Sequence, residues 1–360
     1  MPTDGAPAHA IPKTITALRL VGVGELALSE EPMPKPGPGE LLIEVTAVGL
    51  CGSDAHWFSE GAIGDAVLAR PLVLGHEIAG RVASGPRTGE RVALDPAVPC
   101  LRCALCLEGR PHLCGSLLFA GHGKTDGALR TYMAWPERCL TRVPDVLSEV
   151  EGPLLEPLGV AIHAIDLVGL RPNQSAGVYG CGPIGLMLIE ILRSSGAGTI
   201  VATDLLAHRV AAAAELGATL ARRPDGGEER REFLDATGGR GVDVAFDVSG
   251  ADDAIDTAIA TVHPGGTVVL VGIPSTARSS FDASTARRKG VTIRMCRRMM
   301  PNDLERAARL AERGQVHLAR LVTERFALSD GAAAFTALTQ RRGLKVVVEP
   351  NGPARRGTAS

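Results

Sequence analysis

Two groups of residues in this 360-residue chain have the types and spacing to hold a metal ion. The tighter is Cys100, Cys103, Cys106 and Cys114, a Cys-x2-Cys-x2-Cys-x7-Cys run that places four of the eight cysteines within fifteen residues. Four thiolates on one short loop suit a closed tetrahedral zinc site, because the soft sulfurs converge and leave no position for water. Such an ion fixes a loop that has little core of its own. A disulfide cluster is the competing use of these cysteines. No signal peptide precedes the run, however, and Cys51, Cys139, Cys181 and Cys296 are scattered singly, as in a reducing compartment. The second group is looser: Cys51-Gly52-Ser53-Asp54-Ala55-His56, then Gly75-His76-Glu77. A cysteine, a histidine and a carboxylate from separate loops match an open zinc site, which keeps one position for substrate or water. Each also has a plainer use alone, as a small core cysteine or a turn.

A third constellation, Gly180-Cys181-Gly182-Pro183-Ile184-Gly185, is a G-x-G-x-x-G run between a strand-like A-G-V-Y and a helix. In that context the glycines allow a tight turn, close approach of a pyrophosphate, and helix-sheet packing at a helix N-terminus. Asp204 ends the next strand, 24 residues after Gly180. A carboxylate there accepts the ribose hydroxyls and repels a 2′-phosphate, which favours NAD over NADP. Arg209 is the counter-signal, since a guanidinium can pair with that phosphate; its plainer use is as a solvated helix residue. Val248, and then Val271, Gly272 and Ile273, end later strands on the same carboxyl edge, where they would line a nicotinamide ring.

The elements that must position these residues fall into two textures. Residues from about Thr14 to Val150 read as β-rich, with E-L-L-I-E-V-T-A-V-G-L, H-E-I-A-G-R-V-A and E-R-V-A-L-D-P between Gly/Pro turns. Short β-branched strands then alternate with helices, which implies a parallel, doubly wound sheet. Near Arg298 the chain returns to the first texture, with helices near Asp303–Arg313 and Asp330–Gln340 and a final strand K-V-V-V-E. The expected fold is α/β: a β-rich catalytic domain over 14–152 and 299–350, its zinc lobe at 99–115, and an inserted nucleotide domain over 153–298. Residues 1–13 and 351–360 read as flexible tails. A net charge of −2 gives no electrostatic reason to expect nucleic acid or an acidic membrane as partner. No apolar run spans a bilayer, and a cytoplasmic location is expected.

The run C-G-S-D-A-H-W, the G-H-E, the four-cysteine lobe, L-E-P-L-G-V-A-I-H-A, G-C-G-P-I-G and the ending G-L-K-V-V-V together resemble the zinc-dependent medium-chain dehydrogenases. The likeness runs through most of residues 15 to 350 and is nearest to the sorbitol/xylitol (polyol) branch. It implies a GroES-like, partly β-barrel catalytic domain joined to a Rossmann domain, with the site in the cleft between them. It implies two zinc ions per chain and matches Cys51, His76 and Glu77 to ligands of the catalytic one. Glu156, in L-L-E-P-L, falls where polyol enzymes carry a glutamate that binds the zinc water or the metal itself.

The expected activity is hydride transfer between NAD(H) and a polyol, cyclitol or other secondary alcohol. Zinc would lower the pKa of the bound alcohol, and Ser53 would take its proton and pass it through the cofactor ribose toward His56 at the outer end. Asp54 reads as a helix cap. Trp57 and Phe119 are expected to line the substrate pocket with Arg294, which is followed by Met295 where polyol enzymes have tyrosine. Arg297 and Arg298 read as solvated or at a subunit contact. His122, Lys124 and Asp126 read as an ordinary polar loop near Phe119. A threonine-type amino-alcohol dehydrogenase is the alternative enzyme, and a non-catalytic zinc- and nucleotide-binding scaffold the remote one. The family also implies a homodimer or homotetramer, with the strands G-T-V-V-L-V-G and V-T-I-R-M-C placed to pair across a two-fold axis.

Overall fold

The computed structural model describes residues 11–64 and 66–352. Most of the two expected tails therefore lies outside the described residues. Two sheets organise the rest. The first has seven strands. Along its path run Leu140–Arg142, Arg91–Leu94, Glu77–Val82, Glu40–Gly49, Lys345–Glu349 and Val322–Ala327, and Tyr132–Pro136 also pairs with Glu40–Gly49. The last two strands of the chain thus complete a sheet built by its first third. Glu40–Gly49 is the hub, antiparallel to Glu77–Val82 with Gly49 opposite Glu77, and antiparallel to Lys345–Glu349 with Val347 opposite Gly49. Apolar residues on these strands close one core with Trp57, Leu74, Met133 and Phe335.

The second sheet has six strands, all pairing in parallel, in the order Leu220–Arg222, Ile200–Thr203, Ala176–Tyr179, Val242–Asp247, Val262–Leu270, Thr292–Met295. Its central strands are buried on both faces, as expected where helices cover a parallel sheet on each side. The order reverses beside Ala176–Tyr179, and a crevice opens at the carboxyl ends of the strands at such a point. Of the two strands expected to pair across a two-fold axis, only Thr292–Met295 stands at an edge of this sheet, the other edge being Leu220–Arg222. Val262–Leu270, expected beside it as an edge strand, lies inside the sheet and is paired on both sides over Thr267–Leu270.

Between the sheets lies the helix Leu155–Asp166, buried along most of its length because its sequence is apolar nearly all round. It packs on Asp303–Glu312 and on Pro183–Ser194, and these helices share one core with both sheets through Ala47, Val178 and Val347. Glu156 rides on its first turn, facing the gap. No helix among the described residues is long and apolar enough to cross a membrane.

Candidate active site and metal centres

Cys51 has extended backbone and caps the helix Gly52–Glu60. Three residues on, Asp54 accepts from the Cys51 N–H at 2.9 Å through one oxygen; the other accepts from the Gly75 N–H at 3.1 Å and lies 3.6 Å from His76 Nδ1. One fully buried carboxylate therefore ties the start of the helix to the loop carrying His76. Nε2 of that ring is left to the cavity side, 3.4 Å from Ser53 Oγ. Burial opposes charge on His76, but the charge and hydrogen bond of Asp54 outweigh it and raise its pKa well above the usual value. Asp54, despite its burial, is held below the usual carboxylate range by His76 and the two backbone donors. Its role as cap was legible in the sequence; its hold on His76 was not, because the contact spans two separate loops.

Ligand atoms of Cys51, His76 and Glu77 all lie within 4.8 Å of one another. One sulfur, one imidazole and one carboxylate fit zinc, and three protein ligands leave a fourth position open. Glu77 is buried at 1 % exposure, and Lys345, at 2 %, places Nζ 2.5 Å from its carboxylate oxygens. Burial works against the Lys345 charge, but Glu77 and Cys51 more than reverse that and raise its pKa. Gly49 makes room for the pair: a Cβ there would stand 2.1 Å from Glu77 Oε2 and 3.0 Å from Lys345 Cε. Glu156 lines the same cavity, outside the group of described residues whose ligand atoms lie within 4.8 Å of one another. Burial pushes its carboxyl up to about 8, with His76 opposing and Glu77 adding to the shift.

The four lobe cysteines also cluster within 4.8 Å, with sulfur pairs at 3.5, 3.8 and 4.0 Å. A tetrahedron of metal–sulfur bonds about 2.3 Å long spaces its sulfurs about 3.8 Å apart. A disulfide needs about 2.05 Å, and all four are free thiols. The loop is therefore shaped for an ion rather than for cross-links.

Both the open cluster and the glycine loop face one cavity of about 1170 Å³, lined by Cys51, Ser53, His56, Trp57, His76 and Glu77 at one end and by Gly180, Gly182, Pro183 and Ile184 at the other. Gly182 caps the helix Pro183–Ser194, and a Cβ added to it would meet no atom closer than 3.7 Å, so its face is open to an incoming phosphate. Gly185 is the opposite case. A Cβ there would stand 2.0 Å from the Gly180 carbonyl oxygen, so it serves helix-sheet approach and does not line the cavity. Asp204 accepts from the N–H groups of Cys181 at 2.8 Å and Leu206 at 2.9 Å. Arg209, named as a cofactor contact with a solvated helix residue as its plainer use, lines the cavity with Nη1 3.9 Å from Asp204. Val248, Val271, Gly272 and Ile273 line the same wall.

Comparison with known proteins decides the family. A zinc-binding dehydrogenase model matches residues 183–313, and an alcohol dehydrogenase GroES-like domain model matches residues 37–145. Sorbitol dehydrogenase of Bacillus subtilis is 34 % identical over 351 residues, covering 95 % of this chain and 99 % of that one. The chain belongs to the zinc-binding dehydrogenases. Among solved structures, 2R,3R-butanediol dehydrogenase from Bacillus subtilis is similar at TM-score 0.82 and 30 % identity, covering 94 % of this chain and 100 % of that one. A protein from Sinorhizobium meliloti 1021 described as a zinc-binding dehydrogenase, bound to NADP, is similar at TM-score 0.85 and 28 % identity, with 94 % and 100 % covered. This zinc-binding dehydrogenase is accordingly an oxidoreductase of the alcohol/polyol type with a GroES-like and a Rossmann-like part.

The substrate end departs from expectation. Trp57 and Phe119 line the cavity as anticipated, the Phe119 ring 5.4 Å from that of His76. Arg294 does not: it lies exposed on the edge strand Thr292–Met295, and Met295 is 72 % exposed. The strand ends before the cleft, and the next residues, Cys296, Arg297 and Arg298, turn into it instead. In the loop near Phe119, His122 lines the cavity edge-on to Trp57 at 5.4 Å, whereas Asp126 is drawn away by Arg19 at 3.0 Å and Arg70 at 3.2 Å.

Proposed function

We propose that this zinc-binding dehydrogenase oxidises a polyol, cyclitol or other secondary alcohol with NAD, or reduces the matching ketone, using two zinc ions per chain. The observation that carries this is the shared cavity: an open Cys51–His76–Glu77 cluster and a glycine-rich dinucleotide loop face the same space. Zinc held by Cys51, His76 and Glu77 supplies Lewis acidity to the alcohol oxygen. Asp54 fixes the His76 ring by holding its Nδ1 side. Glu156, neutral at its raised pKa, offers a hydrogen bond to the alcohol or to water. Cys100, Cys103, Cys106 and Cys114 hold the second, structural ion. Residues 14–152 with 299–350 form the catalytic unit and 153–298 the cofactor unit.

Ser53, with Oγ 3.4 Å from His76 Nε2, would receive the alcohol proton. His56 stands on the cavity wall with Nδ1 2.7 Å from Glu60 Oε1. A carboxylate only accepts, so Nδ1 carries the hydrogen and Nε2 is left as the base. Replacing Ser53 with Ala is expected to lower kcat by about 10²-fold with both metals retained, since positioned proton transfer contributes that order. Unchanged turnover with full metal content would remove Ser53 from the proton path.

NAD is favoured over NADP because Asp204, fixed by two backbone donors, lines the cavity, where its carboxylate would accept ribose hydroxyls and repel a 2′-phosphate. The edge strand Thr292–Met295 supports a two-fold contact into a homodimer. The test is an initial-rate panel of secondary alcohols, polyols and amino alcohols on metal-replete protein with each cofactor. NAD reduction by polyols or simple secondary alcohols is expected. Exclusive use of amino alcohols would move the protein to the threonine type, and a clear NADP preference would overturn the role given to Asp204.

A further inference from the structure

We infer that Glu60 is the positioning residue of the proton exit: it holds the His56 ring with its base nitrogen toward the cleft. The inference rests on the proton path proposed above and adds the group that sets its direction.

Three polar side chains stand in a row. Ser53, His56 and Glu60 occupy i, i+3 and i+7 of the helix Gly52–Glu60, so they share one of its faces. All three line the cavity. The adjoining face is anchored. Asp54 is buried on the backbone donors of Cys51 and Gly75, Trp57 is 2 % exposed in the core, and the Phe58 ring lies 5.0 Å from that of Phe335. A helix pinned along one side keeps the row in order along the cleft. From Ser53 to Glu60 the helix rises by about 10 Å. At the inner end Ser53 Oγ lies 3.4 Å from His76 Nε2, and at the outer end the Glu60 side chain is 49 % exposed.

A histidine–glutamate pair four residues apart can be a solvated contact of no consequence. Glu60 is poorly placed to serve the helix in that way. It is the last residue before Gly61, which ends the helix in the left-handed conformation at φ 66°. A negative charge at a helix C-terminus opposes the macrodipole, and a pair with its acid on the C-terminal side is the weaker order. The final carbonyls need nothing from it: Trp57 O accepts from the Gly61 N–H at 3.0 Å and Phe58 O from the Gly24 N–H at 2.7 Å. Among the described residues the ionic partner of Glu60 within 4.0 Å is His56 alone, with Oε1 2.7 Å from Nδ1. The contact therefore acts on the ring rather than on the helix. An imidazole that donates through Nδ1 to a carboxylate keeps its lone pair on Nε2. A proton reaching the ring from the cleft is taken at Nε2, and the ring is restored when one proton leaves to water at the cavity mouth. Between these two events the carboxylate offsets the charge on the ring.

The test reads the ring directly, by 15N NMR of zinc-loaded protein without cofactor, recorded where the ring is neutral and assigned by signal loss in His56→Asn. The wild type is expected to carry the hydrogen on Nδ1. Glu60→Lys replaces an acceptor with a donor, so the hydrogen is expected to move to Nε2 while Nδ1 accepts. In single-turnover oxidation of a secondary alcohol by NAD, Glu60→Ala is expected to be about 2- to 5-fold slower, the worth of a half-exposed ion pair. Glu60→Lys is expected to be at least about 10-fold slower, because the base nitrogen is blocked. Both variants should melt at or above the wild-type temperature, since each removes a carboxylate from a helix C-terminus. A merely structural contact would lower stability and rate together. Hydrogen on Nε2 in the wild type, an unchanged rate in Glu60→Lys, or a rate loss matched by a fall in melting temperature would each overturn the inference. If no alcohol reduces NAD, the proposed activity fails, and the tautomers of the wild type and Glu60→Lys still decide the role of Glu60.

Discussion

Replacing Cys51 with Ser is expected to halve the zinc content of the purified protein, from two ions per chain to one, and to lower kcat by at least about 10³-fold. The halving follows from the separation of the two ligand sets. Cys51, His76 and Glu77 form one cluster and the four lobe cysteines another, with no residue in common. Sites that share no partner respond independently to substitution. The activity loss follows because a metal contributes several kcal/mol of charge stabilisation to such a reaction, and an alcohol is a poor acid without it. Elemental analysis alongside steady-state rates checks both parts. Retention of two ions, or loss of both, would show that the division into an open and a closed site is wrong.

Replacing Lys345 with Met is expected to destabilise the metal-free protein by about 3–5 kcal/mol, because it strands the Glu77 carboxylate in the core without its cation. The side chains are 2 % and 1 % exposed, so water cannot take over the role of the ammonium. Zinc changes the sign of the problem. An ion bound by Cys51, His76 and Glu77 brings its own positive charge to the same carboxylate, so Lys345 and the metal draw on one partner. The variant should therefore lose roughly 5–10 °C in apparent melting temperature in the presence of a chelator, and much less with zinc. Melting curves with and without chelator measure the difference. An equal loss in both conditions would mean that Glu77 serves Lys345 alone and takes no part in holding metal.

The legibility of this chain in its sequence follows contact range. The cysteine lobe and the glycine loop are local, each written within fifteen residues, and their chemistry was plain from spacing. The Cys51–His76–Glu77 cluster needs strand pairing to assemble, but the residue types are rare enough together to mark it. Lys345 carried almost no signal. It stands 268 positions from Glu77, and only the register that sets both Glu77 and Val347 opposite Gly49 brings them into contact. A lysine directly before three consecutive valines in K-V-V-V-E was the one available hint. Arg298 was misread for a related reason. Three consecutive positions from Cys296 leave the edge strand for the cleft, and the backbone turn at Arg298 that directs them is invisible in residue type. Arg294, placed in the pocket by resemblance, instead stands opposite Val269 in the edge strand and lies exposed.

At Gly49 the side chain is a single hydrogen atom, and the charge pair occupies the volume that any larger group would claim. The hub strand is therefore more than a support for the metal: its surface at that point is the mould in which a carboxylate and an ammonium are pressed together away from solvent. Chemical identity at Glu77 and Lys345 is thus inseparable from an emptiness in a third residue, which bears no functional group at all.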